Sequence, residues 1–246
     1  MSNILLKCEE VTKRFGGLLA LDSVSFSIKE NEIIGLIGPN GAGKTTLINC
    51  LAGVYKLTIG KVYFNGKEIT NFKPHQCCKM GIARTFQIPR TFRRLSPVEN
   101  VMVGVLAGRS GITKINEARM DAEKWLDVVG LLHRKDINTE NFTLQERKLL
   151  DLARALATRP KLLLIDEVLA GLNPSETPKI IETIRRLQGE LNMTIIWVEH
   201  IVKAIMENCD RIIVLNFGKK LAEGQPKEIA KDEKVIEAYL GESVYE

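Results

Sequence analysis

The sequence predicts an α/β fold with a mostly parallel sheet, and two patterns carry this prediction. Four short apolar stretches have the length of buried strands, at residues 32–37, 161–167, 193–200 and 211–215. Stretches with helical spacing separate them, and strands that alternate with helices favour a parallel sheet covered on both faces. Residues 88 to about 157 show mostly helical patterns, which predicts a helical subdomain inserted into the α/β core.

A glycine-rich loop connects the first of these strands to a helix. It matches the pattern G-x-x-x-x-G-K-[ST] of a phosphate-binding loop and reads Gly38-Pro39-Asn40-Gly41-Ala42-Gly43-Lys44-Thr45-Thr46. Glycines let backbone N–H groups approach phosphate oxygens, and the helix N-terminus adds partial positive charge. We expect Lys44 to reach the β- and γ-phosphates of a nucleotide and the Thr45 hydroxyl to bind Mg²⁺. The alternative, a chance glycine turn, is disfavoured by the strand before the loop and the helix after it.

The remaining elements follow from local signals. An antiparallel β layer is predicted from strands at residues 5–10, 24–28 and 58–67, with a loop at 13–17 and a turn at Asn65-Gly66. A short helix from Pro74 to about Gly81 is followed by a predicted strand at residues 82–87. Thr143 and Glu146 form a capping box before one of the longer helices. Helices are predicted at residues 117–129, 144–157, 175–191 and 201–207, with a hairpin turn at Asn216-Phe217-Gly218-Lys219. One or two short closing helices are predicted at residues 226–240.

The composition is that of a globular protein without disulfides. Of 246 residues, 45% are hydrophobic and 26% are charged, which suits one large domain or a core with a subdomain. The net charge of +5 is dispersed and does not indicate nucleic-acid binding. Five cysteines without a C-x-x-C pair are expected to be reduced thiols in a cytosolic protein. No window approaches 18 uncharged apolar residues, so we expect any membrane role to need a partner.

Three predicted strands end in side chains that phosphate chemistry uses, at the strand ends where such sheets bind ligands. Asp166 follows four apolar residues, the Walker B pattern, and is expected to bind Mg²⁺ directly or through water. Glu167 is placed to polarise a water aimed at the γ-phosphate. His200 could sense the γ-phosphate, and Gln87 could touch Mg²⁺ or the water. Each alone could be a polar loop, surface or capping residue, but together, after a phosphate loop, they favour a catalytic site.

From residue 5 to residue 241 this constellation resembles the ATPase subunit of an ABC transporter. Gln87 matches the Q-loop of that family, and His200 matches its switch histidine. Asp166 and Glu167 match the Walker B pair with its catalytic glutamate. Phe15 stands where the family has an aromatic that stacks on adenine, although a residue of this kind can also pack in the core.

The nearer resemblance is to the importer subgroup for branched-chain amino acids and related amides. The D-loop reads Ala170-Gly171-Leu172-Asn173-Pro174, in which Asn173 replaces the common Asp, a change that this subgroup tolerates. Val168 replaces the usual Pro after the Walker B glutamate. The other marks of the subgroup are Arg84-Thr85-Phe86-Gln87, Glu199-His200 and Val235-Ile236-Glu237-Ala238-Tyr239-Leu240-Gly241.

The ABC signature departs from the usual Leu-Ser-Gly-Gly-Gln. Counting back from Ala153-Arg154-Ala155-Leu156 places it at Phe142-Thr143-Leu144-Gln145-Glu146. Thr143 keeps a hydroxyl, but Gln145 replaces the second glycine and Glu146 replaces the glutamine. The resemblance implies that Thr143, Leu144, Gln145 and Glu146 contact ATP held by a partner subunit. A longer side chain and a carboxylate there are expected to weaken that contact.

The resemblance implies a P-loop NTPase (RecA-like) core with a mostly parallel sheet, an antiparallel β subdomain and a helical subdomain. One ABC ATPase domain would span residues 1–246, with its catalytic core at 1–87 and 159–246 and its helical subdomain at 88–158. It would bind ATP and Mg²⁺ and pair head to tail with a second ABC ATPase subunit, as a homodimer or heterodimer.

The implied partners place the chain at a membrane. Transmembrane permease subunits would dock near the Q-loop and residues 90–106, and an extracytoplasmic solute-binding protein would take part indirectly. The chain would then be peripheral, on the cytoplasmic face of the cell membrane.

Two other functions fit parts of the pattern. A lipopolysaccharide-type ABC exporter is the nearer one, and the stretch Arg84-Thr85-Phe86-Gln87 argues against it. A soluble ABC ATPase acting on nucleic acid or ribosomes usually has two nucleotide domains or a long coiled coil. This chain has one phosphate loop and no sustained heptads. The sequence therefore favours an ATP-hydrolysing importer subunit for branched-chain amino acids or related small solutes.

Overall fold

The computed structural model describes residues 3–240, which divide into two compact units. The first unit contains Met1–Pro74 and Thr194–Glu246, and the second contains His75–Met193. The strands are β1 (Ile4–Phe15), β2 (Leu18–Lys29), β3 (Ile33–Ile37), β4 (Ile59–Phe64), β5 (Lys67–Glu68), β6 (Ile82–Arg84), β7 (Leu162–Asp166), β8 (Thr194–Val198), β9 (Arg211–Asn216) and β10 (Lys219–Gly224). The helices are α1 (Lys44–Leu51), α2 (Pro74–Met80), α3 (Pro97–Ala107), α4 (Ile115–Val128), α5 (Leu144–Ala157), α6 (Thr177–Leu191), α7 (Val202–Asn208), α8 (Pro226–Ile229) and α9 (Glu233–Leu240).

Two groups of strands build the first unit. β1 pairs antiparallel with β2 and β4, and β4 pairs with β5, which confirms the predicted antiparallel layer. In the other group, β3 lies between β8 and β9 and runs parallel to both, while β10 is antiparallel to β9. β3 and β8 are buried along their whole length, because both faces of a parallel strand are covered. Their almost unbroken apolar sequences follow from this burial.

Tight turns connect the antiparallel strands. β1 continues to its pairing with the first residue of β2, so the loop predicted at residues 13–17 is wrong. A two-residue turn, Gly16-Gly17, replaces it, because Gly16 adopts a φ of +58° that other residues rarely reach. The turns predicted at Asn65-Gly66 and Phe217-Gly218 are confirmed. Both residues of each turn have positive φ, as in the type I′ turns that match the twist of a hairpin.

The second unit is helical apart from one parallel pair of strands. β6 and β7 pair in parallel, with Ile82 opposite Leu162. The strand predicted at residues 82–87 is wrong in its second half, since β6 ends at Arg84. The physical reason is a competing acceptor, because the Phe86 N–H donates to the Asp151 carboxylate at 2.9 Å. Gln87 therefore lies on a loop beyond the strand.

Helix α5 begins where the sequence predicts it. The Thr143 hydroxyl accepts from the Glu146 N–H at 3.2 Å, and the Glu146 carboxylate accepts from the Thr143 N–H at 2.8 Å. This pair is the predicted capping box, which satisfies N–H groups that have no partner inside the helix.

Helix α3 comes very close to the backbone of α5 near the end of both helices. A Cβ added to Gly104 would lie 2.3 Å from the Arg154 carbonyl oxygen. A Cβ added to Gly108 would lie 2.4 Å from the Thr158 Cα. Glycine is therefore required sterically at the contact between α3 and the end of α5.

No helix within residues 3–240 is long and apolar enough to cross a membrane. The cysteines of this described part are free thiols. The division into a core and a subdomain at residues 88–158 stays a prediction, since the two compact units have their boundaries after residues 74 and 193.

Gly104→Ala is expected to lower the free energy of unfolding by about 1–3 kcal/mol, because the methyl group forces two helix backbones apart. Gly189 in α6 is a matched control, since no heavy atom outside its own helix lies within 4 Å of an added Cβ. Gly189→Ala should stabilise by roughly 0.5–1 kcal/mol through helix propensity. Denaturant titration of both full-length variants measures the difference. Equal effects in the two variants would contradict the close contact.

Candidate functional site

The phosphate loop joins β3 to α1 through backbone shapes that exclude other residues. Gly38 has a φ of +150°, and a Cβ there would lie 2.1 Å from the Leu215 carbonyl oxygen. Gly43 has a φ of +101°, and a Cβ there would lie 2.7 Å from the Ala20 carbonyl oxygen. Both glycines of the motif are therefore needed for the conformation as well as for close approach to a ligand.

Lys44 begins α1 and is enclosed by its own loop. The residue is 6% exposed, and its ammonium donates to the carbonyl oxygens of Gly38 at 2.5 Å and Pro39 at 2.8 Å. Thr45, the next residue, is exposed. The loop thus holds a buried positive charge beside an accessible hydroxyl, at a helix N-terminus that also favours anions.

Phe15 lies on the surface at the end of β1 and not in the core. It is 40% exposed, and its ring meets Tyr55 edge to face at 5.1 Å. The Lys13 ammonium lies 4.6 Å from the Phe15 ring centre, a cation–π distance. The core-packing alternative for Phe15 is therefore wrong, and the ring remains accessible to a planar ligand.

His200 follows β8 at an exposed position. The residue before it, Glu199, is 3% exposed, and its carboxylate accepts from the indole N–H of Trp197 at 3.3 Å. The strand therefore ends two residues earlier than predicted, and His200 lies just beyond it.

The second unit brings three predicted residues together at the end of β7. Asp166, the last residue of the strand, is 1% exposed, and its carboxylate lies 3.5 Å from the Arg84 guanidinium. Glu167 follows in a left-handed conformation, with a φ of +51°. The Gln87 amide donates to the Glu167 carboxylate at 2.5 Å. Gln87 thus contacts Glu167, although it lies on a loop and not on the strand that the sequence predicts.

An ion pair that the sequence did not suggest fixes the loop after β6. Asp151 and Arg154 pair on α5, Asp151 accepts from the Phe86 N–H, and Arg154 donates to the Arg90 carbonyl oxygen at 2.5 Å. Burial raises the pKa of the Asp151 carboxyl, although the Arg154 guanidinium opposes this. The available signal was an acid and a base three residues apart on one helix.

The signature segment is engaged within its own unit. Thr143 and Leu144 are exposed, whereas the Glu146 carboxylate forms the capping box and lies 2.7 Å from the Arg134 guanidinium. Both interactions offset the charge of Glu146 at the start of α5. Asn173 of the D-loop is exposed, and its N–H donates to the Glu176 carboxylate at 2.8 Å.

Lys148 is a further residue whose role the sequence did not indicate. It is 3% exposed on α5, and its ammonium donates to three backbone carbonyl oxygens just after β7. The signal was a lysine on the apolar face of an amphipathic helix, four residues before the buried Leu152. Within residues 3–240 no cluster of three or more His, Cys, Asp or Glu side chains could hold a metal by itself.

Comparison with known proteins identifies the class. The family model for ABC transporters matches residues 21–170. An ATP-binding cassette of an ABC transporter, solved in its ADP conformation, is 33% identical, covers 98% of this chain and 100% of its own, and has a TM-score of 0.88. A dimeric cassette bound to ADP and phosphate is 26% identical, covers 90% and 99%, and has a TM-score of 0.81. The chain belongs to the ABC transporter family, has its P-loop NTPase fold, and is an ATP-binding ATPase coupled to transport.

Within this family the similarity extends to a particular group. A model described as a branched-chain amino acid ATP-binding cassette transporter matches residues 219–245. The high-affinity branched-chain amino acid transport ATP-binding protein LivG of Salmonella typhimurium is 40% identical over 99% of this chain and 100% of its own length. The resemblance predicted from the motifs is therefore confirmed at the level of the family and its importer subgroup.

Lys44→Ala is expected to abolish measurable ATP affinity, because it removes the positive charge held inside the phosphate loop. Isothermal titration of the folded variant with ATP measures this, and circular dichroism checks the fold. Lys29→Ala, which removes an exposed lysine at the end of β2, is the control and should bind like the wild type. Unchanged ATP affinity in Lys44→Ala would refute the assignment of the loop.

Proposed function

We propose that this chain is the ATP-hydrolysing subunit that powers an importer of branched-chain amino acids or related small solutes. The observation that carries the proposal is its similarity to LivG along the full length of both chains. The match to the branched-chain cassette model at residues 219–245 supports the same solute class. The phosphate loop and the Walker B residues are intact, so the chain keeps the groups that ATP hydrolysis uses.

Nucleotide binding falls to the first unit in this proposal. The backbone N–H groups of residues 38–46 would hold the phosphates, with Lys44 on the β- and γ-phosphates. The contacts of Lys44 with loop carbonyls support this role, because they hold its ammonium inside the phosphate loop. Phe15 would stack on adenine, and its exposed ring supports that role.

Mg²⁺ would be held by oxygen atoms of Thr45, Gln87 and Asp166. A hydroxyl, an amide carbonyl and a single carboxylate suit Mg²⁺, which prefers few protein ligands together with phosphates and water. The ion would neutralise charge on the phosphates during transfer. The position of Asp166 as the last residue of β7 supports such a role, because parallel sheets bind ligands at the carboxyl ends of their strands.

Glu167 would act as the base that polarises the attacking water. Its bond to the Gln87 amide supports this role, because a donor of this kind fixes the direction of the carboxylate. Glu167 is only 5% exposed, so little bulk water competes for its carboxylate. His200 would sense the γ-phosphate and hold the water geometry.

The partners would be a second ABC ATPase subunit and membrane permease subunits. The exposed signature residues Thr143 and Leu144 would face ATP on the second subunit, with Asn173 in the adjoining D-loop. The permease would dock on the segment after Gln87, where Ile88 is 78% exposed and Phe92 is 46% exposed. The chain would then lie on the cytoplasmic face of the cell membrane, served indirectly by an extracytoplasmic solute-binding protein.

Reconstitution tests the proposed function directly. The chain, co-purified with its permease and the second ATPase subunit, is placed in liposomes with the solute-binding protein. We expect leucine, isoleucine or valine to stimulate ATP hydrolysis and to accumulate inside the vesicles. Stimulation neither by these amino acids nor by related amides, or stimulation by an unrelated class of solute, would refute the proposal.

Glu167→Gln is the matched variant for the same assay. It keeps the shape and hydrogen bonding of the side chain but loses the base, so hydrolysis should fall by roughly 10²–10⁴-fold. ATP binding should remain, and dimers should accumulate with ATP and Mg²⁺. Turnover within a few-fold of wild type would remove Glu167 from the mechanism.

The altered signature generates a separate expectation. In a mixed dimer, ATP on the second subunit would face Gln145 and Glu146. Gln145 lacks the backbone freedom of glycine. The double change Gln145→Gly with Glu146→Gln should raise ATPase activity or ATP-dependent dimer formation of the isolated chain severalfold. Analytical ultracentrifugation with ATP and a phosphate-release assay measure both.

Glu140→Gln, which neutralises a nearby exposed carboxylate, controls for charge alone. An unchanged or lower activity in the folded double variant would show that the signature works as it stands, through Thr143 and the end of α5.

A further inference from the structure

We propose that Lys148 is a positioning residue that holds Glu167 in its working conformation. The inference rests on the proposed role of Glu167 as the base in ATP hydrolysis. Lys148 itself would touch neither ATP nor water; it would act through the backbone that carries the carboxylate.

The contacts of Lys148 converge on one short turn. Its ammonium donates to the carbonyl oxygens of Glu167 at 3.1 Å, Val168 at 2.8 Å and Ala170 at 2.5 Å. An ammonium has three N–H donors and no acceptor, so three carbonyls can use its full donor capacity. Bonds to a charged donor are stronger than neutral ones, more so at a buried position.

The turn that Lys148 binds has a conformation that needs support. Glu167 has a φ of +51°, a region that a residue with a Cβ enters at an energetic cost. Within the turn the structure gives a backbone bond from the Ala170 N–H to the Glu167 carbonyl oxygen, and at 3.3 Å it is long. The Lys148 ammonium binds the carbonyl oxygens of Glu167 and Ala170, which belong to this turn. It therefore opposes a return of Glu167 to an ordinary, negative φ.

The direction of the Glu167 side chain depends on that backbone. Its carboxylate accepts from Gln87 at 2.5 Å, and rotation of the Glu167 backbone toward an ordinary φ would carry the carboxylate away. A base displaced by about 1 Å loses much of its effect, because proton transfer requires hydrogen-bond reach. Lys148 is thus expected to affect the rate of hydrolysis and not the affinity for ATP.

Lys148→Met removes the three donors while keeping the length of the side chain. Because a general base contributes roughly 10²–10⁴-fold, we expect kcat for ATP to fall by roughly 10–100-fold, with KM within about twofold of wild type. Lys148→Arg keeps donors and charge and should restore most of the rate. Lys124→Met, which removes an exposed lysine on α4, is the control and should behave as wild type. Wild-type kcat in folded Lys148→Met would overturn the proposal.

A double-mutant cycle separates positioning from general stability. In the Glu167→Gln background the base is already absent, so adding Lys148→Met should change the residual rate by less than about twofold. A further fall equal to that in the wild-type background would mean that Lys148 acts elsewhere, and would overturn the proposal. If Lys148→Met does not fold, Lys148→Gln provides the same cycle with a smaller loss of donors.

Hydrogen exchange gives a readout that needs no activity. Amides of residues 167–170 should exchange faster in Lys148→Met than in Lys124→Met, while those of β3 stay unchanged. Unchanged exchange in this turn would overturn the proposal. Failure of the proposed function can be distinguished from failure of the Lys148 proposal. If the proposed function were wrong, the wild-type chain would not bind ATP, or Glu167→Gln would hydrolyse it normally.

Discussion

The phosphate loop depends on one steric constraint, which is that its backbone passes against other main-chain oxygens with no room for a side chain. Gly38 lies against the carbonyl of Leu215, and Gly43 against that of Ala20, so strands β9 and β2 form the wall that shapes the loop. The loop shape in turn places Lys44 where two loop carbonyls hold its ammonium. The wall is not local in sequence, because Leu215 follows the loop by more than 150 residues.

Local signals explain which parts of the structure could be predicted. The phosphate loop, the capping box at Thr143 and the two type I′ turns depend on residues close together in the chain, and all were predicted. Gln87 was placed on a strand because its neighbours favour extended structure, but the distant Asp151 captures the Phe86 N–H and ends that strand. The contacts of Lys148 are not predictable for the same reason, because its three partners lie in the turn after β7. Periodicity shows that such a lysine is buried, but not what it binds.

The signature segment shows how one substitution can be accommodated locally. Glu146 introduces a carboxylate where the family has a neutral glutamine, and the helix start accepts it because the carboxylate caps the Thr143 N–H. Arg134, stacked on the Phe142 ring, supplies the opposite charge. The local electrostatic cost of the substitution is therefore small, and any consequence would fall on a ligand that approaches from outside. The substitution can therefore alter the function of the segment without destabilising its fold.

The glycine contact between α3 and α5 has a mechanical consequence. Side chains between two packed helices can change rotamer when one helix slides along the other, and so absorb part of the movement. At Gly104 the α3 backbone lies directly against the Arg154 carbonyl oxygen, so side-chain rotamers cannot absorb a displacement of α3 at this point. A displacement of α3 would therefore move α5 as a rigid element, and the N-terminal half of α5 follows Thr143 and contains Lys148, which binds the Glu167 turn.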